Sequence, residues 1–390
     1  MNKISLLVIC LMATFIMSGL VTPIGLLTAS AAEQYGVEIT LIASQFSFFI
    51  GGVFIGYIMS FFIFDYMKMK PAISLVYILL LVAVLIIQYL PSYPMLPALL
   101  LLIGVCASIA ACAGGTMITR LWEGNIRQSV LVAQDAMFNG GGVVFAWLSI
   151  SFLNKDFSWS TTYVVVGGLA FLVVLLGLLS SFRDAENVTR NEEQTTIVTE
   201  WNAGFILIGL SLLLFLLAKI ALFVWAPQFV EQKFSVGSAE SAQFMSNIFS
   251  SAFFGSVAGT WLVSRVKVHY VLYSLVVLAM LSTWLFTQSD NFSTMLTLAF
   301  LFGISISATY NSYVAFALTF VNTPTHKHIA YLLLVGGLGS ALGPVLSSKV
   351  VEMQGSVDAA VSMCMLVYLL VFIVLLLANY CNYLKDRTSA

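Results

Sequence analysis

The chain has 390 residues, of which only 33 are charged, 16 basic and 17 acidic. This is 8% of the chain, against about 25% in soluble globular proteins, while 60% of the residues are hydrophobic. So few charges cannot cover a water-facing surface, and a formal net charge of −1 provides no basic surface for DNA or RNA. The composition excludes soluble enzymes and nucleic-acid-binding proteins. Its continuous apolar runs predict a membrane protein made of α-helices rather than a transmembrane barrel.

A membrane-spanning helix needs about 20 mostly apolar residues, and twelve segments meet this requirement. The sequence predicts spans 1 to 12 near residues 4–30, 40–64, 71–91, 95–121, 128–153, 159–182, 203–229, 239–264, 268–288, 292–321, 326–350 and 357–384. Span 1 could instead be a signal peptide cleaved near the small residues 28–32. Its apolar stretch is longer than the usual core of about 7–15 residues, so we interpret it as a retained helix.

A charged linker separates spans 6 and 7. Seven of the 33 charges lie there, namely Arg183, Asp184, Glu186, Arg190, Glu192, Glu193 and Glu200. The sequence therefore predicts a solvated central loop over 183–202, an N-terminal six-helix half over 1–182 and a C-terminal six-helix half over 203–390.

The basic residues predict the topology, because cytoplasmic loops carry an excess of Lys and Arg. One side of the spans holds twelve: Lys3, Lys68, Lys70, Arg120, Arg127, Arg183, Arg190, Arg265, Lys267, Lys327, Lys385 and Arg387. The other side holds Lys155, Lys233 and Lys349, and Lys219 lies inside span 7. Both termini and the central loop are therefore expected in the cytoplasm.

The two halves share short sequence patterns in one register. ASQF at 43–46 is followed 198 residues later by SAQF at 241–244, and FFIGGVFIG at 48–56 corresponds to FFGSVAG at 253–259. The glycines of span 5, 140–142, correspond similarly to a cluster at 336–339 in span 11. These matches indicate a parallel duplication, with chance similarity between apolar helices as the alternative.

Five segments carry a resemblance to a known family: GTMITRLWEG at 115–124, AQDAMFNGGG at 133–142, VWAPQF at 224–229, SNIF at 246–249 and ATYNS at 308–312. The chain resembles the major facilitator superfamily, with a closer likeness to TsgA-like permeases and a more distant one to fucose permeases, which are sugar/proton symporters. The resemblance implies two pseudo-symmetric six-helix halves, alternating access, and a substrate site near the middle of the bilayer. It also implies a bacterial inner-membrane monomer that moves a small solute, with protons and without a cofactor.

Two family features are incomplete in this chain. The basic signature between spans 2 and 3 is reduced to FDYMKMK at 64–70, where Asp65 and Lys70 match but the glycines and the arginine are missing. The carboxylates that the fucose-permease likeness implies in spans 1 and 4 are absent, and span 4 has Cys106 and Ser108 at mid-depth. Fucose is therefore not expected as the solute.

Two charged residues lie inside spans, where ionisable groups are costly and suggest function. Asp135 in span 5 is a candidate proton carrier, since protonation removes its charge before it faces the other side. Its structural alternative is pairing with Arg120 and Arg127. Lys219 in span 7 is a candidate for binding an anionic group or for a countercharge, with snorkelling to the interface as the alternative. Counted from the predicted span starts, their depths differ by about 14 Å, which argues against a direct salt bridge.

Polar amides form a second set of candidates. The amides in spans are Gln45, Gln134, Asn139, Gln243, Asn247 and Asn311. Each amide could simply join two helices, but together they suit a cavity for a neutral polar solute. Asn139 follows Asp135 by four residues and so shares its helical face. We predict that solute binding uses Gln45, Asn139, Lys219, Gln243, Asn247 and Asn311.

Glycine pairs with GxxxG spacing occur in spans 2, 8 and 11, where small residues let helices approach closely. The resemblance implies that these spans join the two halves, so the pairs suit a rocking interface, with static packing as the alternative. Trp225 and Pro227 suggest an irregular outer end of span 7.

Other chemistries lack support in the sequence. It contains no Walker A, HExxH or GxSxG motif, so neither an ATP motor nor an enzyme is predicted. His269, His326 and His328 fall at predicted cytoplasmic ends, and the five cysteines have no metal-site spacing. The prediction is a secondary transporter, with efflux pumps of the same fold, or a sensor or scaffold without transport, as alternatives.

Overall fold

The computed structural model describes residues 2–182 and 201–388, and within these ranges the chain is helical, without strands. Seven α-helices come before the central loop: α1 (Asn2–Val21), α2 (Ile24–Tyr35), α3 (Ile39–Tyr66), α4 (Met69–Tyr89), α5 (Leu96–Leu121), α6 (Gly124–Leu153) and α7 (Thr161–Leu179). Seven follow it: α8 (Ala203–Phe234), α9 (Ser238–Val263), α10 (Val268–Gln288), α11 (Phe292–Ser307), α12 (Thr309–Ala317), α13 (His326–Gln354) and α14 (Val357–Thr388). Short 3₁₀ turns occupy Tyr93–Met95 and Leu318–Phe320.

These helices account for the predicted spans. In the described ranges, eleven segments are long and apolar enough to cross a membrane. The twelfth expected span forms α9, which has 26 residues but contains six serines, Gln243 and Asn247, and is therefore more polar. Large apolar side chains such as Phe62, Trp147 and Phe254 are more than half exposed, as a lipid-facing surface requires. The prediction of an all-helical membrane fold is confirmed.

The structure divides two of the predicted spans into separate helices. A third span, for which we expected an irregular end, is continuous. Span 1 divides into α1 and α2 at Pro23, whose ring removes a backbone donor, and span 10 divides into α11 and α12 at Ala308. The expectation of an irregular end at Pro227 was wrong, because α8 continues through this proline to Phe234. Proline removes one hydrogen bond, but a long helix can continue past it.

The chain forms two compact units. Unit 1 comprises Met1–Glu123, Met137–Thr199 and Pro324–Tyr331, and unit 2 comprises Gly124–Ala136, Glu200–Thr323 and Leu332–Ala390. Each unit thus contains a short segment from the other half of the sequence. We call Gly124–Ala136 and Pro324–Tyr331 the exchanged segments. The predicted central loop lies mostly outside the described residues, so the domain boundaries at 182 and 203 stay a prediction.

Glycine lets α3 and α5 approach closely in unit 1. A Cβ atom on Gly52 would overlap the backbone carbonyl of Leu101, and one on Gly56 would overlap the hydroxyl of Ser108. From the other side, a Cβ on Gly104 would overlap the backbone carbonyl of Phe49. Only small residues permit helices to pack at this distance.

Unit 2 repeats this packing between α9 and α11. The contacts Gly56–Ser108 and Gly104–Phe49 recur as Gly255–Ser307 and Gly303–Ile248. Each of the four residues in unit 1 lies 199 positions before its counterpart in unit 2. The duplication inferred from short sequence matches is therefore also present in the contacts between helices.

The glycine pairs have a different role from the rocking interface that we expected. The pair in α3 faces α5, and the pair in α9 faces α11 and Ala308. In α13, Gly339 and Gly343 face the backbone carbonyls of Leu213 and Leu217 in α8. All of these contacts lie within one unit, so the static-packing alternative explains them.

Candidate functional site

The site begins at the break between α11 and α12. Three hydroxyl side chains near it, those of Ser305, Ser307 and Thr309, donate to backbone carbonyls three or four residues earlier at 2.6–2.7 Å. Such bonds compete with the backbone ladder and bend helices. Ala308 leaves the helical region, with φ −104° and ψ 13°. A new helix therefore starts in the middle of span 10.

Asp135 of α6 binds the start of this helix. Its Oδ2 accepts the backbone N–H of Asn311 at 2.9 Å, and its Oδ1 accepts the side-chain Nδ2 of Asn311 at 2.9 Å. Asn311 is the third residue of α12, where a backbone N–H has no acceptor within its own helix. Asp135 is 8% exposed and Asn311 7%. The carboxylate thus caps a buried helix end.

Lys219 of α8 adds a positive charge to this site. It interacts electrostatically with Asp135, and its Nζ lies 5.7 Å from the centroid of the Phe223 ring. Among the described residues, no Asp135 oxygen lies within the 4.0 Å of Lys219 Nζ that defines a salt bridge. The ionised carboxylate is therefore stabilised by two donors of one residue, by the positive end of the α12 dipole and by a more distant cation.

The separation of the two charged residues along their helices is smaller than expected. Because α6 begins at Gly124 and not near 128, Asp135 lies about 17 Å from its helix start at 1.5 Å per residue, and Lys219 lies about 24 Å from the start of α8. The difference is about 8 Å instead of about 14 Å. The two residues interact electrostatically without a direct salt bridge, which suits the countercharge role considered for Lys219.

The exchanged segment that carries Asp135 is held at further points in unit 2. The hydroxyl of Ser129 donates to the backbone carbonyl of Thr260 in α9 at 3.0 Å, and Val132 lies beside Gly259. The segment starts at Gly124, whose φ of 57° favours glycine. Asp135 is therefore presented to α12 by a helix that is also fixed to α9.

The other predicted site residues lie in several places. In unit 2, Asn247 Nδ2 donates to the backbone carbonyl of Leu296 at 3.4 Å, and Gln243 is exposed. In unit 1, Gln45 Nε2 donates to the hydroxyl of Tyr93 at 3.3 Å, and Asn139 is half-buried. The structure brings Asp135, Asn311 and Lys219 together, whereas the bonds of Asn247 and Gln45 connect helices.

A second carboxylate site was not predicted. Asp65, at the end of α3, pairs with Nε2 of His326 at 3.3 Å and with Nζ of Lys327 at 3.0 Å. His326 Nε2 also lies 3.2 Å from the backbone carbonyl of Phe61. All of these residues belong to unit 1, and we call Asp65, His326 and Lys327 the Asp65 cluster. The sequence offers one signal for it, because His326 and Lys327 open span 11 next to each other.

Lys70, the other remnant of the family signature, has a structural role. Its Nζ donates to the backbone carbonyls of Leu178 and Ser180, both at 3.0 Å, at the end of α7. Carbonyls at a helix C-terminus lack intrahelical donors and attract cations. The two remaining residues of the family signature therefore have separate roles, because Lys70 caps α7 and Asp65 forms the Asp65 cluster.

The chain matches the model of the Major Facilitator Superfamily over residues 5–328. It is similar to the "Protein TsgA homolog" of Buchnera aphidicola subsp. Acyrthosiphon pisum (strain 5A), with 24% identity over 390 residues that cover 99% of this chain and 98% of the relative. The "Protein TsgA homolog" of Yersinia pseudotuberculosis serotype O:1b (strain IP 31758) is 22% identical over 387 residues, covering 99% and 98%.

Solved structures share the fold. The transporter FucP in the outward conformation has a TM-score of 0.76 and 16% identity, with 95% of this chain and 97% of that chain covered. The proton:xylose symporter XylE has a TM-score of 0.73 and 13% identity, with 96% and 97% covered. The family match over most of the chain, supported by the internal repeat and these shared folds, shows that the protein belongs to the Major Facilitator Superfamily of membrane transporters.

Proposed function

We propose that the protein is a proton-coupled secondary transporter that moves a small polar solute, such as a sugar or a related metabolite, by alternating access. Family membership supports transport, and FucP and XylE are described as proton symporters of fucose and xylose. The observation that carries the proposed proton coupling is the buried carboxylate of Asp135, bound by two donors of another helix.

Asp135 suits this role because its neighbours interact differently with the ionised carboxylate and with the protonated carboxyl. The ionised carboxylate accepts both bonds from Asn311 and is attracted by the N-terminus of α12 and by Lys219. A protonated carboxyl loses these attractions, but it avoids the cost of a charge in a membrane. Protonation of Asp135 therefore weakens the attraction between α6 and α12.

The solute site is proposed from polar side chains within the helices. Lys219 and Asn311 lie with Asp135, and Gln45, Asn139, Gln243 and Asn247 complete the set. The amides suit hydroxyl groups, which both accept and donate hydrogen bonds. Lys219 adds the capacity to bind an anionic group of the solute.

The proposed location is the bacterial inner membrane, with both termini in the cytoplasm. The excess of basic residues on one side of the spans supports this orientation. It places the start of α6 and the Asp65 cluster at the cytoplasmic side. Labelling of single cysteines at positions 68 and 155 in intact cells tests it, since only position 155 should react with a membrane-impermeant reagent.

The transport experiment begins with a stability screen of the purified protein against sugars, amino acids and antibiotics. The solute found is then used in proteoliposomes for acid-driven uptake and for counterflow exchange. Asp135→Asn should abolish acid-driven accumulation and retain counterflow, because an amide cannot carry a proton. Asp290→Asn, the same change at an exposed position outside the helices, should behave like wild type.

Three outcomes would count against the proposal. Normal acid-driven accumulation in Asp135→Asn would remove Asp135 as the proton carrier. A stabilising antibiotic that is expelled from vesicles would indicate an efflux pump of the same fold. No stabilisation by any class, together with no transport, would favour a sensor or scaffold.

A further inference from the structure

Asn311 presents two donors to the two oxygens of Asp135. The backbone donor is one that the break at Ala308 leaves without an intrahelical acceptor, and the second donor is the side-chain amide. An ionised carboxylate satisfies both donors. A protonated carboxyl carries a hydrogen on one oxygen and has no charge, so it is a weaker acceptor for the two donors than the ionised carboxylate.

α12 is a short element bounded by irregular backbone. It has nine residues, begins after Ala308 and ends in the 3₁₀ turn Leu318–Phe320. Inside it, the hydroxyl of Ser312 is buried and has no hydrogen-bond partner among the described residues, whereas Tyr313 bonds Ser211 at 2.9 Å. The contact with Asp135 joins the first turn of α12 to another helix through two hydrogen bonds.

Few charged groups surround this contact. Lys219 on α8 is the one that interacts with Asp135. α12 contains no charged residue, and α9 contains only Glu240, in its first turn and far from the contact with Ser129. On α6 itself, Arg127 lies eight residues before Asp135. On α10, the titratable His269 lies near the other end of α12, with its ring 5.9 Å from the Phe316 ring between centroids. The charge of Asp135 is thus the main variable at the start of α12.

We infer that Asn311 is the positioning residue that converts the charge of Asp135 into a link between α6 and α12. The ionised carboxylate holds the first turn of α12 through both donors. Protonation weakens these bonds and removes the attraction of the carboxylate charge to the helix N-terminus, so α12 separates from α6. This inference rests on the proposed role of Asp135 as the proton carrier, and it assigns the response of the protein to that proton.

The test measures the distance between α6 and α12 without a solute. The spin labels are placed at Ile126→Cys in α6 and at Thr319→Cys in the 3₁₀ turn that directly follows α12. In a Cys381→Ser background in lipid nanodiscs, they report this distance by pulsed electron paramagnetic resonance. Both native side chains are exposed. A second pair, Ile126→Cys with Leu262→Cys, spans α6 and α9, which are joined by the neutral Ser129–Thr260 bond, and serves as the pH-insensitive control.

We expect acidification to move the α6–α12 pair of the wild type toward a longer distance. Asp135→Asn should show the longer distance at every pH. Asn311→Ala keeps the backbone donor and should raise the ratio of long to short distances about ten- to a hundredfold at high pH, the range for one hydrogen bond to a charged group. Asn311→Asp should lengthen the distance most at high pH, where two carboxylates repel each other.

The pH profile of the wild type needs no substitution, so a poorly folding variant does not prevent the test. An α6–α12 distance that stays constant with pH, in protein whose acid-driven uptake depends on Asp135, would overturn the inference and leave the proposed function standing. A pH-dependent distance that persists in Asp135→Asn would show that another group is responsible. Loss of the proposed function alone appears in the uptake assay and not in this distance.

Discussion

The two copies of the internal repeat differ where α5 corresponds to α11 and α12. α5 is continuous from Leu96 to Leu121, whereas its counterpart is interrupted at Ala308. Over the stretch 104–112, GVCASIAAC, there is one hydroxyl side chain, and the corresponding stretch 303–311, GISISATYN, contains three besides the tyrosine. Because hydroxyls that bond back to the helix tend to bend it, three of them within five residues favour a break in the second copy.

The interruption changes the chemistry at equivalent positions. Cys112 corresponds to Asn311 by the shift of 199 residues. Its sulfur lies 3.9 Å from the backbone carbonyl of His326, in the exchanged segment of unit 1, whereas Asn311 meets the carboxylate of Asp135. An unbroken helix needs no external acceptor for its amides, whereas a broken one does. The buried carboxylate is therefore a consequence of the break as much as a candidate for coupling.

The carboxylates at the two exchanged segments differ in their exposure and in their partners. In unit 2, Asp135 is buried and its hydrogen bonds come from a neutral residue. In unit 1, the side chain of Asp65 is 39% exposed and its partners are His326 and Lys327. Exposed ion pairs contribute about 0–1 kcal/mol, while an unpaired buried polar group costs about 1–3 kcal/mol. The two sites should therefore respond very differently to substitution.

The largest effect is expected where both copies of the repeat agree. Gly104→Val and Gly303→Val each force a side chain against a backbone carbonyl of the adjacent helix, and such overpacking costs about 1–3 kcal/mol or more. Folded, detergent-extractable protein should fall strongly for both variants. Gly168→Val, at a helical glycine with open space around it, should be extracted like wild type. Equal tolerance of all three would contradict the close packing.

The next effect separates the two copies. Asp135→Ala leaves both donors of Asn311 buried without a partner and should destabilise the protein by about 1–3 kcal/mol. In unit 1, Cys112→Ala removes the contact made by the counterpart of Asn311. It takes away only a weak sulfur donor and should cost less. Thermal unfolding of the two variants side by side gives the comparison, and a larger loss for Cys112→Ala would reverse our account of the break.

A third variant should make the two copies more alike. Ser305→Ala, Ser307→Ala and Thr309→Ala together remove the hydroxyls that bond back to the helix and favour a continuous span. The Asn311 amide then finds an acceptor within the helix, so Asp135→Ala should cost about 1 kcal/mol less in this background. A double-mutant cycle of thermal unfolding measures the difference, and additive effects would show that the hydroxyls do not cause the break.

The smallest effect belongs to the Asp65 cluster. Lys327→Gln removes a partly exposed ion pair and should lower stability by about 0–1 kcal/mol. The difference should disappear near 1 M salt, where the screening length is about 3 Å. Lys267→Gln, an exposed lysine before α10, is the matched control and should show no change. A loss that persists at high salt would place the Asp65 pair in a drier environment than its exposure indicates.

Hydropathy alone predicted the helices, because lipid demands long apolar segments with internally satisfied backbones. The break at Ala308 was missed since a window of about 20 residues averages over a local change in hydrogen bonding. Asp135 and Asn311 were both selected as buried polar residues, but their pairing across 176 positions depends on which helices are neighbours, and one sequence does not contain that information. The glycine pairs correctly predicted that helices approach each other closely. They did not predict which helices do so, for the same reason.

The exchanged segments have a consequence for cutting the chain in two. A fragment that ends in the central loop contains Asp135 but no α12, and the remaining fragment contains Asn311 and Lys219 but not the carboxylate that they surround. Neither fragment holds all the residues of either compact unit. Each polypeptide should therefore be unstable when it is made alone, and the two should stabilise each other when they are made together. The yield of this fragment complementation then measures the contacts at Asp135 and Asp65.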